Sequence, residues 1–325
     1  MTDFWQRRNV LVTGATGLLG SWMCRTLLAR GATVTCLIRD HVPGSLLRSS
    51  GDVDRVQVVH GALEDYATVL RAINEYEVDT VFHLGAQTIV GTANRSVMST
   101  FDANIRGTWN LLEACRVSDK LVQRVVVASS DKAYGEHESL PYTEDLPLLG
   151  TYPYDASKAC AELLTRSFHE TFGVPVAVTR CGNLFGGGDL NFNRLVPGTV
   201  RSALLGERPI VRSDGLFERD YFYVEDAVGA YLLLAERMQE LDLVGEAFNF
   251  GTEQPMTVLE VVDRVLQKVG RSDLEPDVRN EASGEIRRQF LDCSKARRRL
   301  GWRPAFAFDD GLERAIDWYR SHLRS

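Results

Sequence analysis

The stretch Val10-Leu11-Val12-Thr13, followed by Gly14-Ala15-Thr16-Gly17-Leu18-Leu19-Gly20, decides the fold of this chain. The first run is apolar and β-branched and predicts a buried strand, and the residues from Leu18 to Leu28 predict a helix. The glycines between them permit a tight turn, a close approach of the backbone to a pyrophosphate, and close packing of the helix on the strand. Amides at the start of the helix attract phosphate charge. This stretch therefore predicts a dinucleotide-binding unit.

The same alternation of short β-branched runs and helical stretches continues to about residue 180. Strands that are almost continuously apolar, alternating with helices, predict an α/β fold of the Rossmann type, a doubly wound parallel sheet with helices on both faces. The predicted strands are Val10 to Thr13, Val34 to Ile38, Val56 to His60, Thr80 to Leu84, Val125 to Ser129 and Val176 to Thr179. The predicted helices are Leu18 to Leu28, Tyr66 to Asn74, Met98 to Arg116 and Tyr154 to Thr171.

The pattern loosens after Arg180 into the loop Gly186-Gly187-Gly188 and shorter mixed elements, with later helices predicted at Val258 to Val269 and Asp310 to Tyr319. We therefore expect residues 1–180 to form the dinucleotide-binding domain and residues 181–325 to form mainly a smaller, mixed substrate-binding region. No linker separates the two, so we expect them to interleave.

Composition limits the possible partners. Among 325 residues, 44% are hydrophobic and 25% charged, and the formal net charge is −7. This acidic balance argues against nucleic acid or an anionic membrane as a partner. The first residues lack the apolar stretch of a secretory signal, and no window is long and apolar enough to span a bilayer. Six scattered cysteines show no metal-ligand spacing, so we expect buried thiols, no metal and a cytoplasmic protein.

Two groups of residues predict acid and base chemistry. Tyr154 and Lys158 are four residues apart and so share one face of a helix, where the ammonium is expected to lower the pKa of the tyrosine from roughly 10. The phenolate can then take a proton from a substrate hydroxyl. Ser130-Asp131-Lys132 follows the fifth strand, at the sheet edge where the sites of such folds gather. A simple alcohol dehydrogenase needs no second pair, although Asp131 and Lys132 could instead form a surface ion pair.

The residues after the second strand leave the choice of cofactor open. Asp40 can accept a hydrogen bond from a ribose hydroxyl, as in NAD-binding proteins, whereas Arg39 can hold a 2′-phosphate, as in NADP-binding proteins. The position near Ile38, where an NAD-selecting acid is usual, is apolar.

The spacing of Gly14, Gly17 and Gly20 resembles that of the extended branch of the short-chain dehydrogenase/reductase superfamily. Within it, the chain resembles nucleotide-sugar 4,6-dehydratases, most of all those acting on CDP-glucose, in which an Asp and a Lys follow the active-site serine. It is also similar to GDP-mannose 4,6-dehydratases and to UDP-sugar 4-epimerases. The motifs that carry the resemblance are Phe4-Trp5, Gly14 to Gly20, Gly20-Ser21-Trp22, Asn104, Ser130-Asp131-Lys132, Tyr154 to Lys158, Arg180 to Asn183, Ser294-Lys295-Ala296 and Leu300-Gly301-Trp302. One segment, Arg219 to Val224, looks more like epimerases and decarboxylases.

The resemblance implies a tightly bound NAD or NADP that is regenerated in each turnover. In the place of the family's usual Gly-Asp-Leu stands Gly61-Ala62-Leu63, so the usual carboxylate contact to adenine is absent. The residues implied in cofactor binding are Gly14, Thr16, Gly17, Leu18, Leu19, Gly20, Arg39, Asp40, Ala62, Leu63, Leu84, Gly85, Ala86, Gln87, Asn104, Ser129, Tyr154 and Lys158. His83, which precedes the pyrophosphate segment, is expected to be a satisfied core histidine.

The resemblance also implies a reaction. Tyr154, oriented with Ser130 and sustained by Lys158, would oxidise carbon 4 of the sugar; Lys132 would take the proton from carbon 5, and a protonated Asp131 would release the 6-hydroxyl. A 4-epimerase using the same Tyr154 is the alternative, with no need for Asp131 and Lys132. The implied binding residues for the sugar-nucleotide diphosphate are Gln87, Ser130, Asn183, Leu195, Val196, Arg219, Arg287 and Arg288. The family commonly forms homodimers, here through a four-helix contact of Met98 to Arg116 and Tyr154 to Thr171.

Overall fold

The computed structural model describes residues 3–281 and 286–323. Its strands are β1 Asn9–Thr13, β2 Thr33–Ile38, β3 Gln57–His60, β4 Thr80–His83, β5 Arg124–Ala128, β6 Val176–Cys181, β7 Asn183–Phe185, β8 Ile210–Val211, β9 Glu218–Arg219, β10 Tyr221–Tyr223, β11 Ala247–Phe250, β12 Met256–Thr257, β13 Asp277–Val278 and β14 Arg288–Gln289. Its α-helices are α1 Leu18–Ala29, α2 Leu46–Ser49, α3 Tyr66–Glu75, α4 Val90–Arg95, α5 Val97–Phe101, α6 Gly107–Val117, α7 Pro153–Phe172, α8 Leu195–Leu205, α9 Val224–Arg237, α10 Val258–Val269, α11 Ser294–Leu300 and α12 Phe308–His322.

The central sheet confirms the predicted parallel α/β fold. Seven strands pair in the order β11-β6-β5-β4-β1-β2-β3, and every neighbouring pair is parallel. Alternate residues of each strand enter opposite cores: Val12 packs in the core with residues of α1 and α9, and Leu11 in the core with residues of α3 and α6. Since the strand order reverses between β4 and β1, the carboxyl ends of these two strands flank the crevice where such sheets bind ligands.

One strand of the central sheet was not predicted from the sequence. β11, Ala247–Phe250, comes from the second half of the chain and pairs with β6 at the edge of the sheet. The run Ala-Phe-Asn-Phe is short, and Asn249 interrupts its apolar character even though it is fully buried. Its buried state depends on partners far away in the sequence, which a local pattern does not contain.

The predicted helix Met98 to Arg116 is not a single α-helix. It starts at Val97 and ends at Val117, and a π-helical turn, Asp102–Arg106, separates α5 from α6. Single π turns inside α-helices often lie at functional sites. This turn carries Asn104, whose side chain is buried.

The second region packs beside the carboxyl edge of the sheet. Helices α8, α10 and α12 surround a core that includes Phe185, Tyr223 and Phe308. Three small sheets, β10-β7, β12-β9-β14 and β13-β8, complete this region. In the described part of the chain, no helix has the length and apolar character needed to cross a bilayer.

Candidate active site

The glycine turn between β1 and α1 depends on the absence of side chains. Gly14 has φ +71°, and a Cβ there would lie 2.8 Å from the Cα of Gly85. A Cβ on Gly20 would overlap the carbonyl oxygen of Gly14. Helix α1 follows with Gly17 as its N-cap, so no side chain caps the first amides, and its first turn contains no acidic residue. These features fit a dinucleotide pyrophosphate at the start of α1.

His83 joins β4 to its neighbours in the interior. The amides of Leu84 and Gly85 donate to Thr13 Oγ1 at 3.1 and 3.0 Å, and that oxygen lies 2.9 Å from His83 Nδ1. His83 Nε2 lies 3.0 Å from Thr108 Oγ1. Burial, with a smaller contribution from Lys158, lowers the pKa of His83 to about 3. The histidine is therefore neutral and fixes the backbone at the carboxyl end of β4, as expected for a core residue.

Asn104 joins the segment after β4 to helix α7. Its Oδ1 accepts a hydrogen bond from the Gln87 amide at 2.7 Å, and its Nδ2 donates to the Gln87 carbonyl at 3.1 Å. The same Nδ2 donates to Ser157 Oγ at 2.8 Å, and the Ser157 hydroxyl donates to the Tyr154 carbonyl at 2.7 Å. The π-helical turn thereby places Asn104 between the predicted pyrophosphate segment and the helix that carries the predicted base.

Arg39 and Asp40, the two competing ribose-reading residues, bind each other. Arg39 Nε lies 2.7 Å from Asp40 Oδ2, and both side chains are more than half exposed. Leu63, after β3, has its carbonyl held by Asn110 Nδ2 at 3.0 Å. The pair that follows β2 therefore leaves both cofactors possible. Asp40 can accept a hydrogen bond from a ribose hydroxyl, and Arg39 can donate hydrogen bonds to a 2′-phosphate.

Tyr154 and Lys158 lie on one face of α7, as predicted, but their electrostatics differ from the prediction. Both are buried, with 8% and 6% of their surface exposed. Burial raises the pKa of Tyr154 to about 12, and a hydrogen bond with Ser130 opposes this rise. Lys158 Nζ donates to the Ala128 carbonyl at 2.8 Å, and burial lowers its pKa to about 8. The prediction that Lys158 lowers the pKa of Tyr154 is wrong in this structure, because desolvation dominates and the ammonium is bound to the end of β5.

Ser130 is the N-cap of a 3₁₀ turn, Asp131–Tyr134, that begins shortly after β5 and contains Asp131 and Lys132. The Ser130 hydroxyl donates to Asp131 Oδ1 at 2.9 Å and accepts from the Lys132 amide at 3.2 Å. Asp131 is 2% exposed, and burial raises its pKa. Its Oδ2 has no hydrogen-bond partner within the described residues. The alternative of a surface ion pair is therefore wrong.

Gln289 of β14 holds this turn from the other side of the site. Lys132 Nζ donates to Gln289 Oε1 at 3.0 Å, and Gln289 Nε2 donates to the Asp131 carbonyl at 3.0 Å. Gln289 is fully buried. Sequence reasoning missed it, since nothing in its neighbourhood along the chain marks it.

Asp155 and Arg194 also belong to the site and were missed. Asp155 is 3% exposed; burial raises its pKa to about 6, the charge of Lys132 opposes the rise, and Asp131 adds to it. Arg194 binds Asp189 Oδ2 at 3.0 Å and Thr88 Oγ1 at 3.0 Å, and its charge favours the ionised form of Tyr154. Asp155 stands beside Tyr154 in the sequence, a signal that was available.

The predicted substrate residues of the second region form two groups, one on β7 and α8 and the other made of three arginines. Asn183 lies on β7, Leu195 begins α8 half-buried, and Val196 is buried in the core of the second region. Arg219 is 6% exposed and donates to the carbonyls of Glu218 at 2.9 Å, Arg287 at 3.1 Å and Ile286.

The small sheet β9-β14 brings Arg219 close to the other two predicted arginines. Arg287 and Arg288 are exposed and pair with Asp214 at 3.1 Å and Glu218 at 2.7 Å. The three arginines are thus neighbours, as a phosphate-binding set requires, but the outer two are engaged by acidic side chains. Across residues 3–281 and 286–323, no group of three or more His, Cys, Asp or Glu side chains is arranged to hold a metal ion.

Comparisons with known proteins agree with the fold described above. The model of the GDP-mannose 4,6-dehydratase family matches residues 11–315. The chain belongs to this family. It is 32% identical to CDP-glucose 4,6-dehydratase of Salmonella typhimurium, over 99% of this chain and 93% of that protein. Relatives of this kind make it an enzyme of the nucleotide-sugar 4,6-dehydratase family.

Solved structures extend the similarity to three dimensions. DesIV, a dTDP-glucose 4,6-dehydratase of Streptomyces venezuelae solved with NAD, is 30% identical with a TM-score of 0.86, covering 96% of this chain and 97% of that one. UDP-glucose 4-epimerase of Thermotoga maritima, solved with UDP-glucose, is 28% identical with a TM-score of 0.87, covering 97% and 99%. Dehydratases and epimerases therefore share the fold of this family member, and the side chains of the site must distinguish them.

Proposed function

We propose that this family member oxidises carbon 4 of a nucleotide-linked hexose, eliminates water across carbons 5 and 6, and leaves a 4-keto-6-deoxy sugar. The observation that carries the proposal is the turn Ser130-Asp131-Lys132. It presents a buried carboxyl and an amine beside Tyr154, and Asp131 Oδ2 is free of hydrogen bonds in the described part of the chain. A buried polar atom without a partner is costly and is common where a substrate group completes the site.

The first step belongs to Tyr154. Its phenolate takes the proton of the 4-hydroxyl, which the Ser130 hydroxyl helps to orient. Since burial raises the pKa of Tyr154 to about 12, the phenolate needs positive charge nearby, and the charge of Arg194 favours it. Lys158, on the same face of α7, binds the Ala128 carbonyl in this structure, and its role toward the phenolate is part of the proposal. A bound nicotinamide would accept hydride from carbon 4 and return it to carbon 6.

The second step belongs to Asp131 and Lys132. The 4-ketone acidifies the proton on carbon 5, and the amine of Lys132 removes it. Asp131 donates a proton to the departing 6-hydroxyl, for which its raised pKa suits it, because a carboxyl that stays protonated can act as a general acid. Gln289 bonds to both residues and fixes their relative position.

The cofactor site lies mainly in residues 1–180. The glycine turn, the amides after β4, Asn104 and Lys158 fit a dinucleotide, and the dehydratase DesIV was solved with NAD. We assign NAD or NADP as the cofactor. The competition between Asp40 and Arg39 decides between the two.

The substrate site lies mainly in residues 181–325. Asn183, Arg219, Arg287 and Arg288, together with Gln87 and the start of α8 at Leu195 and Val196, form the set proposed to hold a sugar-nucleotide diphosphate. Guanidinium groups suit phosphate oxygens. The ion pairs of Arg287 with Asp214 and Arg288 with Glu218 must then open or share their donors when the diphosphate binds.

A 4-epimerase is the second candidate. The structural similarity to UDP-glucose 4-epimerase, with its TM-score of 0.87, favours it. An epimerase would use Tyr154 and the same cofactor but would return hydride to carbon 4. It would give Asp131, Lys132 and Gln289 no chemical role, and for this reason the dehydratase is preferred.

Product mass separates the two candidates. The protein is incubated with CDP-, GDP-, UDP- and dTDP-hexoses and either NAD or NADP. Loss of one water from one substrate supports the dehydratase and identifies the nucleotide that the substrate carries. An unchanged mass with inverted configuration at carbon 4 supports the epimerase, and binding of cofactor with no sugar turnover contradicts both.

We further propose a cytoplasmic homodimer formed by α5, α6 and α7. Their exposed apolar side chains include Met98 at 73%, Trp109 at 43%, Leu163 at 62% and Phe172 at 56%. Such residues on adjoining helices are typical of an interface. Light scattering of the wild type and of Leu163→Asp tests this: we expect a dimer that the variant weakens, and a monomeric wild type would contradict it.

A further inference from the structure

A buried ion pair lies directly behind Lys158. Glu162, one helical turn further along α7, binds Arg180 of β6 with Oε2 to Nη2 at 2.7 Å and both carboxylate oxygens near Nε at 3.1 and 3.0 Å. The two side chains are 5% and 7% exposed. The hydroxyl of Ser129 also donates to Glu162. The carboxylate thus contacts the residue that follows β5 and leads into the Asp131 turn.

The pair continues into that turn. Arg180 Nη1 donates to the Tyr134 hydroxyl at 2.7 Å, and this hydroxyl donates to Asn249 Oδ1 at 2.8 Å. Tyr134 is the last residue of the 3₁₀ turn that begins with Asp131 and Lys132. Burial raises the pKa of Tyr134, so the hydroxyl keeps its proton and its role as donor. One buried network therefore joins α7 to the turn.

We propose that Glu162 and Arg180 are positioning residues. They keep Lys158 charged, and they hold Tyr154 and Lys158 of α7 in a fixed position relative to Asp131 and Lys132 of the turn. The inference rests on the function proposed above. It concerns residues that need not contact substrate or cofactor.

Electrostatics favours this role over one of stability alone. Replacing a buried ion pair with apolar residues is often neutral or stabilising, so stability does not explain why two charges are kept here. Burial lowers the pKa of Lys158 to about 8, and the negative charge of Glu162 opposes that fall. With a neutral residue at position 162, nothing would oppose the lowering of the pKa of Lys158 by burial. Lys158 would then lose its proton within the working pH range.

The environment of the pair is defined by the surrounding elements. His83 of β4 interacts with Lys158, and Arg180 of β6 is paired with Glu162. Tyr134 and Glu144 lie on the far side of Arg180, and Tyr154 is one turn before Lys158 on α7. His83 is neutral, and the pKa values of Tyr154 and Tyr134 are raised, so these groups carry no negative charge toward Lys158; Glu162 is the anion whose charge acts on it.

Glu162→Gln tests the inference because it keeps the shape and one acceptor oxygen but removes the charge. We expect the alkaline limb of hydride transfer to move to lower pH by about one unit, a tenfold loss above that limb and near-normal rates at pH 6. The dissociation constant of the reduced cofactor, measured by fluorescence across pH, should show the same shift. Glu162→Asp should restore the limb. Glu75→Gln, which breaks the exposed pair with Arg71, is the matched control.

Two results would overturn the inference. If Glu162→Gln lowers the melting temperature but leaves both pH profiles unchanged, the pair is only structural. If that variant does not fold, Tyr134→Phe removes the hydroxyl link alone. In this variant we expect oxidation at carbon 4 to persist while elimination slows. Wild-type rates for both steps would contradict the network's role. A wild type that binds cofactor but turns over no sugar nucleotide would refute the proposed function, yet the pH dependence of cofactor binding would still test Glu162.

Discussion

Asp131→Asn changes a single atom of the site, which makes it the sharpest test of the elimination step. Oδ1 can keep the hydrogen bond from Ser130, while Oδ2, buried and without a hydrogen-bond partner among the described residues, is replaced by an amide nitrogen. The variant therefore preserves packing and loses the acid. Any change in the reaction reports on the proton and not on the shape.

The catalytic effect follows from the loss of a general acid. Such groups contribute about 10²–10⁴-fold to a step, so elimination should slow by that factor. Oxidation of carbon 4 should still occur, because Tyr154 is untouched. In a single turnover, absorbance at 340 nm should rise and persist, and mass spectrometry should find the 4-keto sugar before water loss.

The stability effect has a definite sign. Burial raises the pKa of Asp131 in the folded state, so folding favours the protonated form and the stability that this proton gives is lost as pH rises through the folded-state pKa. An amide does not titrate. We expect the wild type to lose about 1 kcal/mol of stability relative to the variant as pH rises through the folded-state pKa of Asp131, and the difference to be smallest on the acid side of that pKa.

Urea unfolding at several pH values measures this difference, with the exposed Asp145→Asn as control. Wild-type elimination rates in Asp131→Asn would refute its role as acid. A stability difference that does not vary with pH would refute the assignment of its pKa.

Three further predictions concern single side chains. Tyr154→Phe should abolish hydride transfer, read at 340 nm, while cofactor still binds; near-normal turnover would remove Tyr154 as the base. Lys132→Ala should allow oxidation at carbon 4 but stall exchange of the carbon 5 proton with deuterated solvent, and normal exchange would contradict its role. Gly20→Ala should lower stability by about 1–3 kcal/mol and weaken cofactor binding, since its methyl overlaps the Gly14 carbonyl; unchanged melting and affinity would show that the turn tolerates a side chain.

Most of the sheet was predictable because the local sequence pattern is sufficient to indicate its strands. β1, β2, β4 and β6 are short apolar runs flanked by helices, and each was predicted within one or two residues of its bounds. β11 was not, since its burial depends on β6 across the fold. The π-helical turn at Asn104 was also invisible, because its sequence carries no pattern that differs from the helices on either side.

The site was predictable where it is local in sequence. The spacing of Tyr154 and Lys158 placed both on one helical face, but spacing says nothing of desolvation, and the predicted direction of the Tyr154 pKa shift was therefore wrong. Gln289 reaches Lys132 from 157 residues away along the chain. Glu162 could have been found, since it continues the four-residue spacing of Tyr154 and Lys158.

The pairing of β11 with β6 has a consequence for how the protein is made. During synthesis, Val176–Cys181 emerges from the ribosome before Ala247–Phe250. The edge of β6 therefore has no strand partner while some seventy further residues are synthesised. An open parallel edge is an invitation to intermolecular pairing. We therefore expect a fragment truncated after residue 180 to aggregate.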